Sequence, residues 1–150
     1  MSDISLLTDH TGFWMRMVSN AVSQAFARKV ADEGVTVAEW AFMRALFDLE
    51  PTTPTALANA MGMTRGAISK LADRLEAKGL VTERGALEDK RSRSLELTRS
   101  GRAKVPVLAR LADENDNAFF GGLTRDDHVK LVEILKTLAA TNSLKSTPVD

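Results

Sequence analysis

Residues Thr53 to Gly101 read TPTALANAMGMTRGAISKLADRLEAKGLVTERGALEDKRSRSLELTRSG. Thr53-Pro54 starts a short helix, with threonine as cap and proline at the first helical position, where a missing N–H costs nothing. Leu57, Ala58 and Met61 give that helix its inner face, and Gly62 turns the chain. Thr64 caps the next helix, which runs to Lys78 with Ile68, Leu71, Ala72 and Leu75 at helical spacing. Gly79 is a left-handed C-terminal cap and Leu80 the apolar residue after it. Two extended pieces follow, about Val81 to Arg84 and Ser94 to Leu97, with a charged turn between them. Short helix, glycine turn, helix, hairpin: this order is a helix-turn-helix with a β-wing.

A helix-turn-helix reads DNA by laying its second helix in the major groove while the first crosses the backbone. The second helix needs one apolar face and one face of contact-capable side chains. Here the polar face holds Arg65, Gly66, Ser69, Lys70, Asp73 and Arg74. Gly66 lets the backbone approach closely, and Thr64 with the free amides of the helix start suits a phosphate. The wing tip packs Asp89, Lys90, Arg91 and Arg93 into five positions. A solvated loop is the plain reading of such a run. Beside a recognition helix, a wing meets the minor groove or the phosphate strand, where the planar arginine fork is suited to bind. Asp89, two residues from Arg91, is placed to orient that guanidinium.

Outward from this lobe the pattern stays helical. Asp9 to about Ala31 carries Trp14, Val18, Ala21 and Ala25 in one row, with Met17, Val22 and Phe26 beside it. An apolar face that wide predicts burial on more than one side, as in an assembly interface. Thr36-Val37-Ala38-Glu39 is a capping box opening a helix whose inner stripe reads Trp40, Met43, Leu46 and Phe47. After the wing, Thr98 caps a helix to about Phe120 that includes Pro106, and Thr124 opens a last one with Val129, Leu131, Val132, Leu135 and Leu138. The final stretch TNSLKSTPVD reads as a frayed tail. The fold class expected is mainly α with a small β-hairpin wing.

Composition narrows the function classes. The 150 residues balance 20 Lys/Arg against 20 Asp/Glu, yet the charges are segregated. Thr64 to Lys104 holds eleven basic and six acidic residues, while the remainder holds nine and fourteen. A basic segment in a neutral chain predicts a local footprint for an anionic partner. There is no cysteine, which excludes disulfides, thiol catalysis and thiolate metal sites. His10 and His128 stand apart in sequence and read as surface histidines, so no metal or cofactor is expected. No nucleophile–base constellation or phosphate-cradling glycine loop is present, so an enzyme is not expected. No leader or apolar run of spanning length is seen, which predicts a cytoplasmic chain, nucleoid-associated when on DNA, with no membrane partner.

Leu57-Ala58, the Gly62 turn, LADRLEAKGLV from Leu71 to Val81, the Asp89-Lys90-Arg91 tip and LELTRSG from Leu95 to Gly101 together resemble the MarR family of bacterial transcription regulators. The resemblance extends upstream to TVAEWAFMRAL and covers nearly the whole chain. It implies a single domain over 1–150, with a winged helix-turn-helix lobe at about 36–98. Dimerisation helices are then expected at about 5–33 and 99–142, with a tail at 143–150. It implies a homodimer with interdigitated terminal helices, on a pseudo-palindromic double-stranded operator with half-sites about 10 bp apart. It implies DNA contacts from Thr64, Arg65, Gly66, Ser69, Lys70, Arg74, Asp89, Lys90, Arg91 and Arg93, with Arg91 in the minor groove. It also implies a repressor released by a small aromatic or phenolic effector in a cleft between the dimer helices and the lobe. Candidates to line that cleft are Phe13, Trp14, Met17, Trp40, Met43 and Arg44, the last pairing a carboxylate. A winged helix serving only as a protein–protein module is the alternative. The wing reading is checked by Arg91→Ala, expected to weaken operator binding and flatten its salt dependence by about one unit of slope while leaving the unfolding midpoint in place.

Overall fold

The computed structural model describes residues 3–85 and 93–149. Its elements are α1 (Thr11–Ala31), α2 (Val37–Leu49), α3 (Pro54–Met61), α4 (Arg65–Ala77), β1 (Val81–Arg84), β2 (Ser94–Leu97), α5 (Arg99–Phe120) and α6 (Arg125–Thr141). The order and the mainly helical class are those the sequence predicts. α1 starts two residues later than expected, because Leu7–Asp9 forms a separate 3-10 turn. That turn is held by the Leu6 amide donating to Asp9 Oδ2 at 2.8 Å and by the Trp14 indole donating to the Thr8 carbonyl at 3.0 Å.

Threonine sets the start of five helices. The hydroxyls of Thr36, Thr53, Thr64, Thr98 and Thr124 each accept the amide three residues on, at 3.0–3.1 Å. Each bond satisfies an amide that has no partner inside its helix. At α2 the box is reciprocal, since Glu39 Oε1 accepts from the Thr36 amide at 2.8 Å.

The core lies where α2, α3, α4, the hairpin and α5 meet. Phe42, Met43, Leu46, Leu57, Ile68, Leu75, Leu95 and Leu108 are all fully buried there. Each such side chain contributes about 1.5–3 kcal/mol through removal of apolar surface from water. The inner stripe of α2 differs from expectation. Glu39, Phe42, Met43 and Leu46 are buried, whereas Trp40 is half-buried and Phe47 is exposed. α2 has two apolar sides, and the periodicity alone does not say which one faces the core.

β1 and β2 pair antiparallel with Val81 opposite Leu97 and Glu83 opposite Leu95. Thr52 adds a further antiparallel bridge to Leu95, with the Leu95 amide donating to the Thr52 carbonyl at 2.7 Å. Glu50, at the end of α2, ties the hairpin to α5. Its Oε2 accepts the Leu97 amide at 2.7 Å, and its Oε1 accepts from Arg102 Nε at 3.0 Å. At the start of α5 the helix backbone runs against the chain at Leu80. A Cβ on Gly101 would lie 2.0 Å from the Leu80 carbonyl oxygen, so no other residue fits without moving the backbone.

Two regions depart from a closed single-chain core. α6 has no buried residue, and Val129, Ile134, Leu135 and Leu138 on it stay exposed. Trp14, Met17 and Val18 on α1 are likewise exposed. The expected frayed tail is corrected in the other direction. The Thr147 amide donates to the Met61 carbonyl at 2.9 Å, and the Ser146 hydroxyl donates to the Gly62 carbonyl at 3.1 Å. These bonds return the end of the chain to the lobe.

Gly101→Ala is expected to cost about 1–3 kcal/mol by overpacking. Gly66→Ala, where a Cβ meets nothing within 4 Å, is expected to be neutral or stabilising by up to about 1 kcal/mol. Urea denaturation of the two variants reads the contrast directly.

Candidate nucleic-acid interface

α4 is two-faced by sequence and in place. Ile68, Leu71, Ala72 and Leu75 are buried, while Thr64, Arg65, Gly66, Ser69, Lys70, Asp73 and Arg74 are exposed. Gly62 caps α3 in the left-handed conformation at φ 65°, and two residues later Thr64 begins the approach to α4. The Thr64 hydroxyl is taken as acceptor by the Ala67 amide at 3.1 Å, which leaves its proton free to donate.

The C-terminal end of α4 is anchored by a buried carboxylate. Glu39 is fully buried, and its Oε1 accepts from Lys78 Nζ at 2.8 Å. Lys78 also donates to the Gly34 carbonyl at 2.9 Å. Arg74 reaches the same region, 3.5 Å from both Glu39 Oε1 and Thr36 Oγ1. Burial pushes the Glu39 carboxyl up, but the bonds from Lys78 and Thr36 and the Lys78 charge outweigh it, and the group is held below its ordinary value. Lys78 is therefore a structural anchor and not a solvated charge, and Arg74 faces α2 rather than standing free on the outer surface.

Charge pairing restricts the usable surface further. Asp73, Glu76 and Glu83 bring their carboxylates within 4.8 Å of one another at the C-terminal half of α4 and on β1. An acidic group there repels phosphate. Arg93, at the base of the wing, pairs with Glu83 at 3.2 Å, and Arg84 pairs with Glu96 at 3.4 Å. Among the described residues Arg65 and Lys70 make no ion pair, and both sit in the N-terminal half of α4. The wing-tip candidates Asp89, Lys90 and Arg91 lie outside the described residues.

A cleft of about 630 Å³ opens between α1, α2 and α5. Phe26, Trp40, Ala41 and Val37 form its apolar wall, and Ser23, Arg44, Asp48, Asn115 and Asp116 supply polar groups. Phe26 and Trp40 meet edge to face, with centroids 6.5 Å apart. Of the six side chains expected to line such a cleft, Trp40 and Arg44 do. Met43 is a core residue instead, and Phe13, Trp14 and Met17 are not among its lining residues. Arg44 already pairs with Asp48 at 2.9 Å. Asn115, buried on α5, was not anticipated. Its Oδ1 accepts from Lys29 at 2.8 Å and its amide donates to the Val22 carbonyl at 3.1 Å, joining α5 to α1. α5 carries two asparagines, Asn115 and Asn117, and the sequence does not say which is buried.

The MarR family profile matches residues 33–92, from the turn before α2 to just short of β2. A protein of Thauera aromatica named as a transcriptional regulatory protein for the hcr operon is 30% identical over 136 residues, 88% of this chain and 80% of that one. The chain belongs to the MarR family. It is a DNA-binding transcriptional regulator built on a winged helix-turn-helix. Two solved structures share the fold at 22% identity. A mutant MarR from Escherichia coli in complex with operator DNA aligns with TM-score 0.76 over 90% of this chain and 99% of its own. BpsR of Bordetella bronchiseptica, whose DNA binding is regulated by 6-hydroxynicotinic acid, aligns with TM-score 0.77 over 91% and 97%. In this MarR-family chain, as in any protein, helices of this fold cross no bilayer unless long and apolar, and none described here is.

Because the folded-state value of Glu39 is depressed, its contribution to stability is complete above the unfolded value, near 4.5, and is lost as pH falls through the folded value. Lys78→Met is expected to shrink that acid-dependent loss. Unfolding midpoints of both proteins measured from pH 6 down to about pH 3 check the sign.

Proposed function

We propose that this MarR-family regulator binds a pseudo-palindromic operator as a homodimer, each subunit placing the N-terminal half of α4 in a major groove and its wing beside it. The observation that carries this reading is the exposed Arg65–Lys70 face of α4, whose cations make no ion pair among the described residues, while Arg74, Arg84 and Arg93 do. Thr64, Gly66 and Ser69 lie on the same face and are assigned to backbone approach and hydrogen bonding. Arg93, Lys90 and Arg91 are assigned to phosphate or minor-groove contact, with Asp89 orienting Arg91. Arg74 remains a secondary contact, since Glu39 holds it. A winged helix used only to bind proteins gives the unpaired cations no counterpart, and no feature of the site favours it.

Homodimerisation through residues of about 5–33 and 99–142, outside the lobe of about 36–98, is supported by the unburied apolar faces of α1 and α6. Repression follows where the operator overlaps a promoter, because the bound dimer and the polymerase exclude each other. The cleft beside Trp40 is assigned to a small aromatic effector that releases DNA. With Arg44 held by Asp48 and with Asp116 alongside, the cleft suits a neutral phenolic ring better than a strong carboxylate. The chain is placed in the cytoplasm, on the nucleoid when bound to DNA.

Selection of bound duplexes from a random library at near-physiological salt tests the reading. Enrichment of a two-fold symmetric site is expected, bound by a species that sediments as a dimer. Arg65→Ala and Lys70→Ala are each expected to lower the slope of affinity against salt by about one unit. Weak binding with no enriched sequence would overturn specific recognition.

A further inference from the structure

The end of the chain bridges two places that the regulator reading keeps separate. After α6, Ser143 adopts a left-handed conformation at φ 54°, and the Leu144 amide donates back to the Ala139 carbonyl at 2.9 Å. The chain is thereby reversed towards the lobe. Thr147 and Pro148 then lie against the cleft that Trp40, Arg44 and Asp116 also line. The same few residues touch the turn of the helix-turn-helix. The Thr147 amide bonds the Met61 carbonyl, and the Ser146 hydroxyl bonds the Gly62 carbonyl. The Lys145 carbonyl passes so close that a Cβ on Gly62 would lie 2.7 Å from it. Backbone therefore packs on backbone at the turn that sets the position of Thr64 and Arg65.

We propose that residues 145–149 are a strap that closes one side of the cleft and ties it to the helix-turn-helix turn, so that opening the strap loosens the recognition helix. The consequence for DNA rests on the regulator reading; the closure itself does not. Two features make the strap releasable. Leu144 before it and Pro148 within it are exposed, and of its apolar residues only Val149 is half-buried, so apolar burial holds the segment weakly. Its grip on the turn is two neutral hydrogen bonds at the surface, which water can replace. A group entering the cleft between Pro148 and the Trp40 wall has to displace or rest against the strap. A modest difference in binding to the open and closed forms then shifts the equilibrium. The hydrogen bonds end on carbonyls of the α3 end and its glycine cap, so release removes both bonds from that turn.

The test uses the full chain. Two tryptophans are present, so Trp14→Phe makes Trp40 the single reporter. In that background Ser146→Ala with Thr147→Pro removes the hydroxyl and the amide proton that hold the strap. Acrylamide quenching of Trp40 is expected to rise, and affinity for the selected duplex to fall by at least about five-fold. Unchanged quenching overturns the closure. Unchanged duplex affinity with increased quenching overturns the link to the turn. Amide exchange in the unsubstituted chain guards against a folding defect in the variant. Protection of the Thr147 amide is expected, and exchange at the unstructured rate overturns the proposal. Quenching and exchange need no DNA, so failure of the intact chain to bind any duplex counts against the regulator reading and leaves the strap to its own two measurements.

Discussion

The start of the long helix α5 packs its backbone directly on the lobe, Gly101 against the Leu80 carbonyl. Everything that presents α4 to a partner is referred to that contact. Thr98 fastens it from both sides, its amide donating to the Leu80 carbonyl at 3.0 Å and its hydroxyl to the Gly79 carbonyl at 2.6 Å. Glu50 holds the next layer, gripping Leu97 of the hairpin and Arg102 of α5 together. The end of α4, the root of the wing and the start of α5 therefore move as one unit. A winged helix reads DNA by the relative placement of helix and wing, and here that placement is fixed by the backbone contact at Gly101 together with the bonds of Thr98 and Glu50.

The electrostatics are more selective than a count of charges implies. Of the basic residues between Thr64 and Lys104, Arg74 and Lys78 serve Glu39, Arg84 serves Glu96, Arg93 serves Glu83, Arg102 serves Glu50 and Lys104 serves Glu33. These pairs are not equivalent. Exposed ion pairs contribute about 0–1 kcal/mol, so Arg84 and Arg93 can exchange a carboxylate for a phosphate at little cost. Lys78 cannot, because leaving Glu39 buried and unpaired is far more costly than losing a surface contact. The net positive charge of the segment is thus partly scaffold. In the proposed reading the DNA-facing share falls to Arg65, Lys70 and the wing.

The features that could be read from sequence are those decided by neighbours in the chain. Threonine caps, the glycine turn, the strand limits and the buried face of α4 all follow from local chemistry, and the structure places them as the pattern predicts. The misreadings share a different cause. Phe42 points inward and Phe47 outward because only one of the two apolar sides of α2 faces the core. Glu39 reads as half of a capping box, yet its second function depends on Lys78, 39 residues away. Trp40 and Arg44, named as cleft candidates from the family resemblance, line the cleft. Asn115, Asp116 and Pro148 were missed because the cleft is assembled from distant segments. The tail looked frayed because two hydrogen bonds to carbonyls leave no mark in composition.

α6 shows what a single chain leaves unfinished. It is a capped helix of 17 residues with no buried side chain. Its helix propensity alone is marginal support for an element of that length in water, where packing of an apolar face normally supplies most of the stability. α1 has the same deficit at its N-terminal half, where Trp14, Met15, Met17 and Val18 are exposed. Two apolar faces, one on α1 and one on α6, are the physical counterpart of the proposed homodimer. The strap begins where α6 ends. Any partner that fixes α6 also fixes the origin of residues 145–149, so the assembly interface, the cleft and the helix-turn-helix turn share one covalent connection.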